Sequence, residues 1–155
     1  MAAYTDIFEN KLIDFLFRAQ ALGITGATAA AGTGPATLYI SLKTAADSDG
    51  TPGAEVSGGS YARVAVVSSL ANWAGTQGAG TTVASSGTSG TTSNNAAVTF
   101  PTPTAAWGQV VGFGIHDAAT GGNELIYTPF TPKTINLGDP APYFPAGTLS
   151  VQVDN

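Results

Sequence analysis

The sequence predicts an all-β fold, an antiparallel β-sandwich or jelly-roll-like domain with one N-terminal α-helix. Seven or eight short segments alternate apolar and polar residues between Gly- and Pro-rich turns. Only one stretch, beginning at Asp6, carries helical spacing. No internal repeat points to a blade or a solenoid. A β-prism or a small barrel would show the same pattern. At 155 residues the chain suits a single domain, 1–155, that buries roughly two-thirds of its unfolded surface. The helix falls in 1–23 and the β region in 36–155, with a long neutral Gly/Ser/Thr loop at 74–95.

Thr5 is placed to cap the helix, and Asp6 and Glu9 put carboxylates at the positive end of its dipole. Phe8, Leu12, Phe15, Leu16 and Ala19 recur on one face, Lys11, Asp14 and Arg18 form a polar flank, and Gly23 is the expected stop. Ile13 and Phe17 fall nearly opposite the main stripe. Their cover is either a loop of the same chain or a neighbouring subunit. Residues 24–35 read as a connector.

Thr37 to Lys43 alternates with Leu38, Ile40 and Leu42 on one face, which predicts a half-buried strand. The run Asp47-Ser48-Asp49-Gly50 is a turn. Gly58-Gly59 is a second turn, leading into a strand over Tyr61–Val67. Arg63 is the only Lys, Arg, Asp or Glu between Val56 and His116. It is expected to pair with Glu55 or Asp117, or to meet a neighbouring subunit.

Residues 74–95 resemble a flexible linker in composition. A long structureless loop inside a domain is improbable, so the segment is expected to be pinned, with its threonines and Val83 permitting a polar edge strand. Ala96–Phe100 is a short strand. In Trp107–His116, three glycines share one face, a sign of close approach by a backbone or a bulky side chain. Asp117–Asn123 is a hairpin connection and Glu124–Phe130 pairs back. Five prolines from Pro129 to Pro145 restrict the C-terminal third to short or edge strands, and Thr148–Val153 closes the domain.

Charged residues make up 10% of the chain, against about 25% in ordinary domains. Such a surface is soluble through hydroxyls and amides, and little repulsion keeps copies apart. A net charge of -5 with five cations argues against nucleic acid and against an anionic membrane surface. Asp6 and Glu9 stand where a signal peptide would need a cationic start and an apolar run. No apolar run reaches the ~20 residues of a membrane span. Without cysteine, disulfides and thiolate metal sites are excluded.

Catalytic groups are sparse. His116 is the only histidine; His116 and Asp117 can be drawn as a triad with one of the many serines, such as Ser60, but no G-x-S-x-G elbow supports it. Asp47, Asp49 and Glu55 resemble the start of a calcium loop that lacks its third oxygen ligand, so an Asx turn is the simpler reading. The glycine pairs Gly78/Gly80 and Gly112/Gly114 lack the residues of a phosphate loop. Tyr39, Tyr61, Trp73, Trp107, Tyr127 and Tyr143 could line a sugar groove or fill a core. No cofactor and no metal are expected.

The runs E-V-S-G-G-S-Y-A-R-V-A-V, L-A-N-W-A-G-T, A-A-V-T-F-P-T-P-T-A-A-W-G-Q-V and G-F-G-I-H-D-A-A-T-G-G-N resemble a family of small tailed-bacteriophage virion proteins commonly labelled phage tail fibre proteins. The N-terminal E-N-K-L-I-D-F-L-F-R and T-L-Y-I-S-L fit as well. The resemblance implies a non-enzymatic structural protein, and it brings no catalytic or metal residues. Two stations are compatible with it. The preferred one is a capsid decoration protein that binds the major capsid protein and stabilises the assembled head by mass action. The other is a tail-fibre or host-recognition module, for which a host surface polysaccharide would be a partner. Both termini are expected to be docked, and a homo-oligomer is expected, with a trimer preferred by analogy with other virion surface proteins. Ile13, Phe17, Arg63, Trp73 and Val83 are the expected interface residues.

Overall fold

A computed structural model describes residues 4–23, 34–48 and 51–153. The connector at 24–33, Asp49-Gly50 of the predicted turn and both expected docked ends lie outside the described residues. The elements run α1 (Asp6–Arg18), β1 (Thr37–Lys43), β2 (Val64–Val67), β3 (Thr91–Ser93), β4 (Val98–Thr99), β5 (Gly108–His116), β6 (Glu124–Ile135), β7 (Tyr143–Phe144) and β8 (Ser150–Gln152). Among the described residues the fold is mostly β and antiparallel, with a single N-terminal helix. Its residues gather into two interleaved compact units. Of the described residues, the first comprises 4–23, 34–36, 67–97 and 144–153, and the second 37–48, 51–66 and 98–143.

In the first unit, α1 starts at Thr5 as its sequence predicts, yet the Thr5 side chain makes no cap bond. Its carbonyl instead accepts from Phe8 N at 2.8 Å and Glu9 N at 3.0 Å. The helix ends at Arg18, five residues before the predicted stop at Gly23. Ala19 turns left-handed at φ 53°, and Gln20 N closes back on Asp14 O at 2.9 Å, a Schellman-like termination made without glycine.

The buried face of α1 is also not the predicted one. Ile13 is 0% and Phe17 1% exposed, while Leu12, Phe15 and Leu16 are half-buried. The Phe17 ring meets that of Trp73 at 4.9 Å, and Leu149 and Val151 are buried in the same unit. β3 and β8 pair with Thr92 opposite Val151. The strand inside 74–95 is thus Thr91–Ser93, and Val83 lies outside it, exposed.

The second unit is built on a four-stranded sheet ordered β2-β1-β5-β6. Leu38, Ile40 and Leu42 of β1 are buried, as their alternation predicts, but Ser41 and Lys43 on the opposite face are buried too. That strand is covered on both sides. β2 begins three residues later than predicted, at Val64. On β5 the alternation slips where the register shifts between Val110 and Gly112, so Val110 is buried alongside Phe113 and Ile115.

β6 runs to Ile135, five residues beyond the predicted Phe130. Pro129 and Pro132 fit because β6 is an edge strand whose second side needs no donors. A turn of Gly58 (φ 74°), Gly59 (φ 56°) and Ser60 (φ 62°) brings Tyr61 edge-on to Trp107 at 5.3 Å and parallel to Phe100 at 6.2 Å. The Trp107 indole donates to Gly59 O at 3.0 Å. A Cβ on Gly59 would sit 2.9 Å from that same indole nitrogen. β4 and β7 form a short separate pair.

Phe17→Ala should cost about 3–5 kcal/mol of unfolding free energy in a denaturant titration, because it empties a filled core. Ile7→Ala, at a position 71% exposed, should stay within about 0.5 kcal/mol.

Candidate functional site

Two clusters of buried and half-buried polar side chains stand out among the described residues, one in each unit. The first ties the charge-free segment to α1. Arg18, fully buried, donates to Asp14 Oδ1 at 2.6 Å, Trp73 O at 3.1 Å, Ser85 Oγ at 3.1 Å and Val83 O. Asp14 also accepts from Ser85 N at 2.9 Å and Ser85 Oγ at 2.6 Å. One turn earlier, Asn10 donates to Gly87 O at 2.9 Å and accepts from the Thr76 hydroxyl. Thr76 in turn accepts from Gly87 N, and its carbonyl accepts from Ser89 Oγ. At the far end, buried Asn94 donates to Pro145 O at 2.9 Å and to Ala96 O at 2.8 Å, and accepts from Leu149 N at 2.8 Å.

A segment that reads as a linker is therefore held by hydrogen bonds to side chains rather than by apolar burial. Asp14 and Arg18, two members of the predicted polar flank, form its inward-facing anchor. Their i, i+4 spacing was the available signal. Nothing in the local sequence around Ser85 or Asn94 announces their roles.

The second cluster lies on the polar face of the four-stranded sheet. Register sets Tyr39 opposite His116, Ser41 opposite Gly114 and Lys43 opposite Gly112 on β1 and β5. On β6, Glu124 faces His116 and Tyr127 faces Gly114. The glycines are needed for this arrangement. A Cβ on Gly114 would lie 2.1 Å from Glu124 Oε1 and 2.7 Å from Ser41 Oγ, and one on Gly112 2.6 Å from the Tyr127 ring. This is the close approach that the glycine face predicts, at two of its three glycines; a Cβ on Gly108 would meet nothing within 4 Å. Lys43 Nζ, buried, contacts Glu124 Oε2 at 2.7 Å and Asp47 Oδ1 at 3.4 Å. Ser41 Oγ shares a hydrogen bond of 2.9 Å with His116 Nε2, and Glu124 Oε1 lies 3.9 Å from the same nitrogen.

Arg63 completes the second cluster. It forks onto Glu55 through Nε–Oε1 at 3.0 Å and Nη2–Oε2 at 2.8 Å, and its Nη1 donates to Ala118 O at 2.8 Å and Gly121 O at 2.9 Å. Tyr61 OH donates to Glu55 at 2.8 Å and accepts from Leu42 N at 2.9 Å. Burial raises the Glu55 carboxyl's pKa, but the Arg63 and Tyr61 hydrogen bonds outweigh it and hold the group below its ordinary value. Burial and the adjacent Glu55 push the Tyr61 phenol up. Burial, reinforced by Arg63, lowers the His116 imidazole against the opposing pull of Glu124 and Glu55.

The Ser60–His116–Asp117 triad does not assemble. Ser60 Oγ bonds Thr104 Oγ1 at 2.8 Å, and Asp117 takes Asn123 N at 2.7 Å and Asn123 Nδ2 at 2.8 Å. In Ser41, His116 and Glu124 the hydroxyl and the carboxylate both face Nε2, whereas a nucleophile-activating triad sets the acid on the other ring nitrogen. The acidic trio is likewise dispersed. Asp47 Oδ1 accepts from Gly53 N at 2.8 Å in a turn, Glu55 is held by Arg63, and Asp49 lies outside the described residues.

Of the expected interface residues, Ile13, Phe17 and Trp73 are core residues of the first unit, covered by the chain itself. Arg63 sits in the chain's own ion pair, its side chain 10% exposed. Val83 is on the surface, as are Tyr4 and Ile7 at the start of α1. Among the aromatics considered for a sugar groove, Trp73 and Trp107 are buried and Tyr143 is exposed.

Asp14→Ala strands the Arg18 guanidinium and should cost about 3–5 kcal/mol, with faster hydrogen exchange over residues 75–89 than elsewhere. Glu55 supplies a pH test. Its folded pKa lies below 4.5, so on acidification the unfolded chain takes up this proton first. The stability it contributes is present above about pH 4.5 and is lost as pH falls below that. The stability difference between the wild type and Glu55→Gln should therefore narrow from about pH 6 to pH 3 in parallel urea titrations.

Across residues 3–152 the chain matches the family model described as podophage GP4 fiber I protein gp80. No curated protein gives a significant match. The family match covers nearly the whole length, and the chain belongs to this family of phage fibre-type virion proteins.

Proposed function

We propose that this member of the podophage fiber I family is a non-enzymatic structural component of the virion, stationed in a tail fibre and carried as a homo-oligomer. The match over residues 3–152 carries the reading. Its description supports the tail station over the capsid decoration role, which rests on low charge and ordered loops alone. The buried polar groups agree with a structural role, since Arg18, Lys43 and Arg63 each have protein partners.

The partners in this reading are further copies of the chain and neighbouring tail proteins. Tyr4, Ile7 and Val83 are exposed apolar residues of the first unit suited to such contacts, on a chain with little charge to oppose association. We further propose a trimer. Tyr143, exposed in the second unit, is the aromatic available to a host polysaccharide.

A reconstruction of the virion with the chain labelled by a specific antibody fragment tests the station. Labelled density at the tail is expected; label distributed over the head lattice would replace the fibre reading with decoration. Sedimentation of the purified chain should show a trimer, and monomers persisting at high concentration would refute the oligomer.

A further inference from the structure

The His116 cluster has one acceptor that its hydrogen bonding leaves over. Glu124 Oε2 is taken by Lys43, but Oε1 is buried with no hydrogen-bond partner. Both the His116 and the Glu124 side chains are 5% exposed, and Oε1 lies 3.9 Å from His116 Nε2. A buried carboxylate oxygen without a donor is costly. A proton carried at His116 Nε2 would supply such a donor; the Tyr127 hydroxyl, on the same sheet face, is buried without a partner as well. In the neutral ring, Nε2 is occupied by Ser41 Oγ.

The groups around the ring pull in two directions. Glu124 from β6 and Glu55 from the segment before β2 favour the imidazolium. Arg63, from just before β2, and Lys43, from β1, oppose it. Asp117, next in the chain, is committed to Asn123. Arg63 matters most here, because the same guanidinium holds the carbonyls of Ala118 and Gly121 in the hairpin connection after His116.

We propose that His116 makes this hairpin connection acid-responsive: proton uptake from solvent draws Nε2 from Ser41 towards Glu124 Oε1 and adds positive charge at the strand end from which the loop held by Arg63 departs. The cluster sets the sign. Neutral His116 is the form the fold favours, so the stability it contributes is present above about pH 6.5 and is lost as pH falls through the lower folded pKa. Glu124 limits that loss, and the Arg63 contacts to Ala118 and Gly121 weaken. The device sits wholly within the second unit and does not depend on where in the virion the chain is placed.

Because the chain has a single histidine, its ring C–H resonance reports His116 alone in an NMR pH titration of the full chain. The expected midpoint lies below about 6.5. The Arg63 Nε–H and the amides of residues 118–121 should shift with that same midpoint. Glu124→Gln should lower the midpoint by about one unit, since it removes the counter-charge. In His116→Gln the loop response over about pH 5–7 should vanish. Loop resonances that stay flat across that range, or that move only with a midpoint in the carboxylate range of Asp117, would overturn the proposal. So would a Glu124→Gln midpoint equal to that of the wild type. Should either variant fail to fold, the wild-type titration decides on its own, through coincidence or separation of the ring and loop midpoints.

Discussion

A guanidinium with no access to solvent sets the terms for the first unit. Arg18 has to be neutralised and its donors filled, because an unpaired buried charge costs several kcal/mol. Asp14, one turn away on α1, supplies the charge, and the carbonyls of Trp73 and Val83 with the Ser85 hydroxyl supply the remaining acceptors. Those acceptors come from a segment too rich in Gly, Ser and Thr to bury much apolar area. The segment is ordered because α1 needs it, and α1 is fixed because the segment gives its polar groups somewhere to go. Trp73 joins the two, with its ring on Phe17 and its carbonyl on Arg18.

The second unit meets a related constraint by a different route. Placing Ser41, Lys43, His116 and Glu124 together on a sheet face requires room, and Gly112 and Gly114 provide it by having no side chains where Tyr127 and Glu124 lie. Small residues in the strand make the polar interior fit, while the aromatic trio of Tyr61, Phe100 and Trp107 packs elsewhere in the same unit. Tyr61 links the two environments, because its hydroxyl reaches both Glu55 and the backbone of β1.

How far the sequence could be read depended on whether the determining contact was local. The alternation in Thr37–Lys43 and the glycine face of β5 are local signals, and both led to the observed strands and the close approach. The Arg63–Glu55 pair was also within reach, since few partners exist for a lone cation. The buried face of α1 was not legible. Apolar spacing favoured Phe8, Leu12, Phe15 and Leu16, whereas the structure turns Glu9, Ile13, Asp14, Phe17 and Arg18 inward. Burying that face is favourable only when distant residues such as Ser85 satisfy its charges, and no periodicity encodes a partner about seventy residues away. The end of α1 at Ala19 escaped for a related reason. A left-handed alanine costs about 1–2 kcal/mol and is accepted where the closure to Asp14 O compensates.

The distribution of charge connects this interior to the virion role. The chain has five cations. Arg18, Lys43 and Arg63 lie within ion pairs and are largely removed from solvent, leaving Lys11 and Lys133 as the other two. Buried pairs of this kind are weak sources of net stability, but each rejects alternative packings that would strand a charge. What they leave behind is a surface of hydroxyls, amides, a few acids and scattered apolar side chains. Such a surface raises little long-range repulsion between copies. Placing charge on the inside thus does two things together in this chain: it fixes how segments of low apolar content fold, and it leaves an exterior with few charges to hold copies apart.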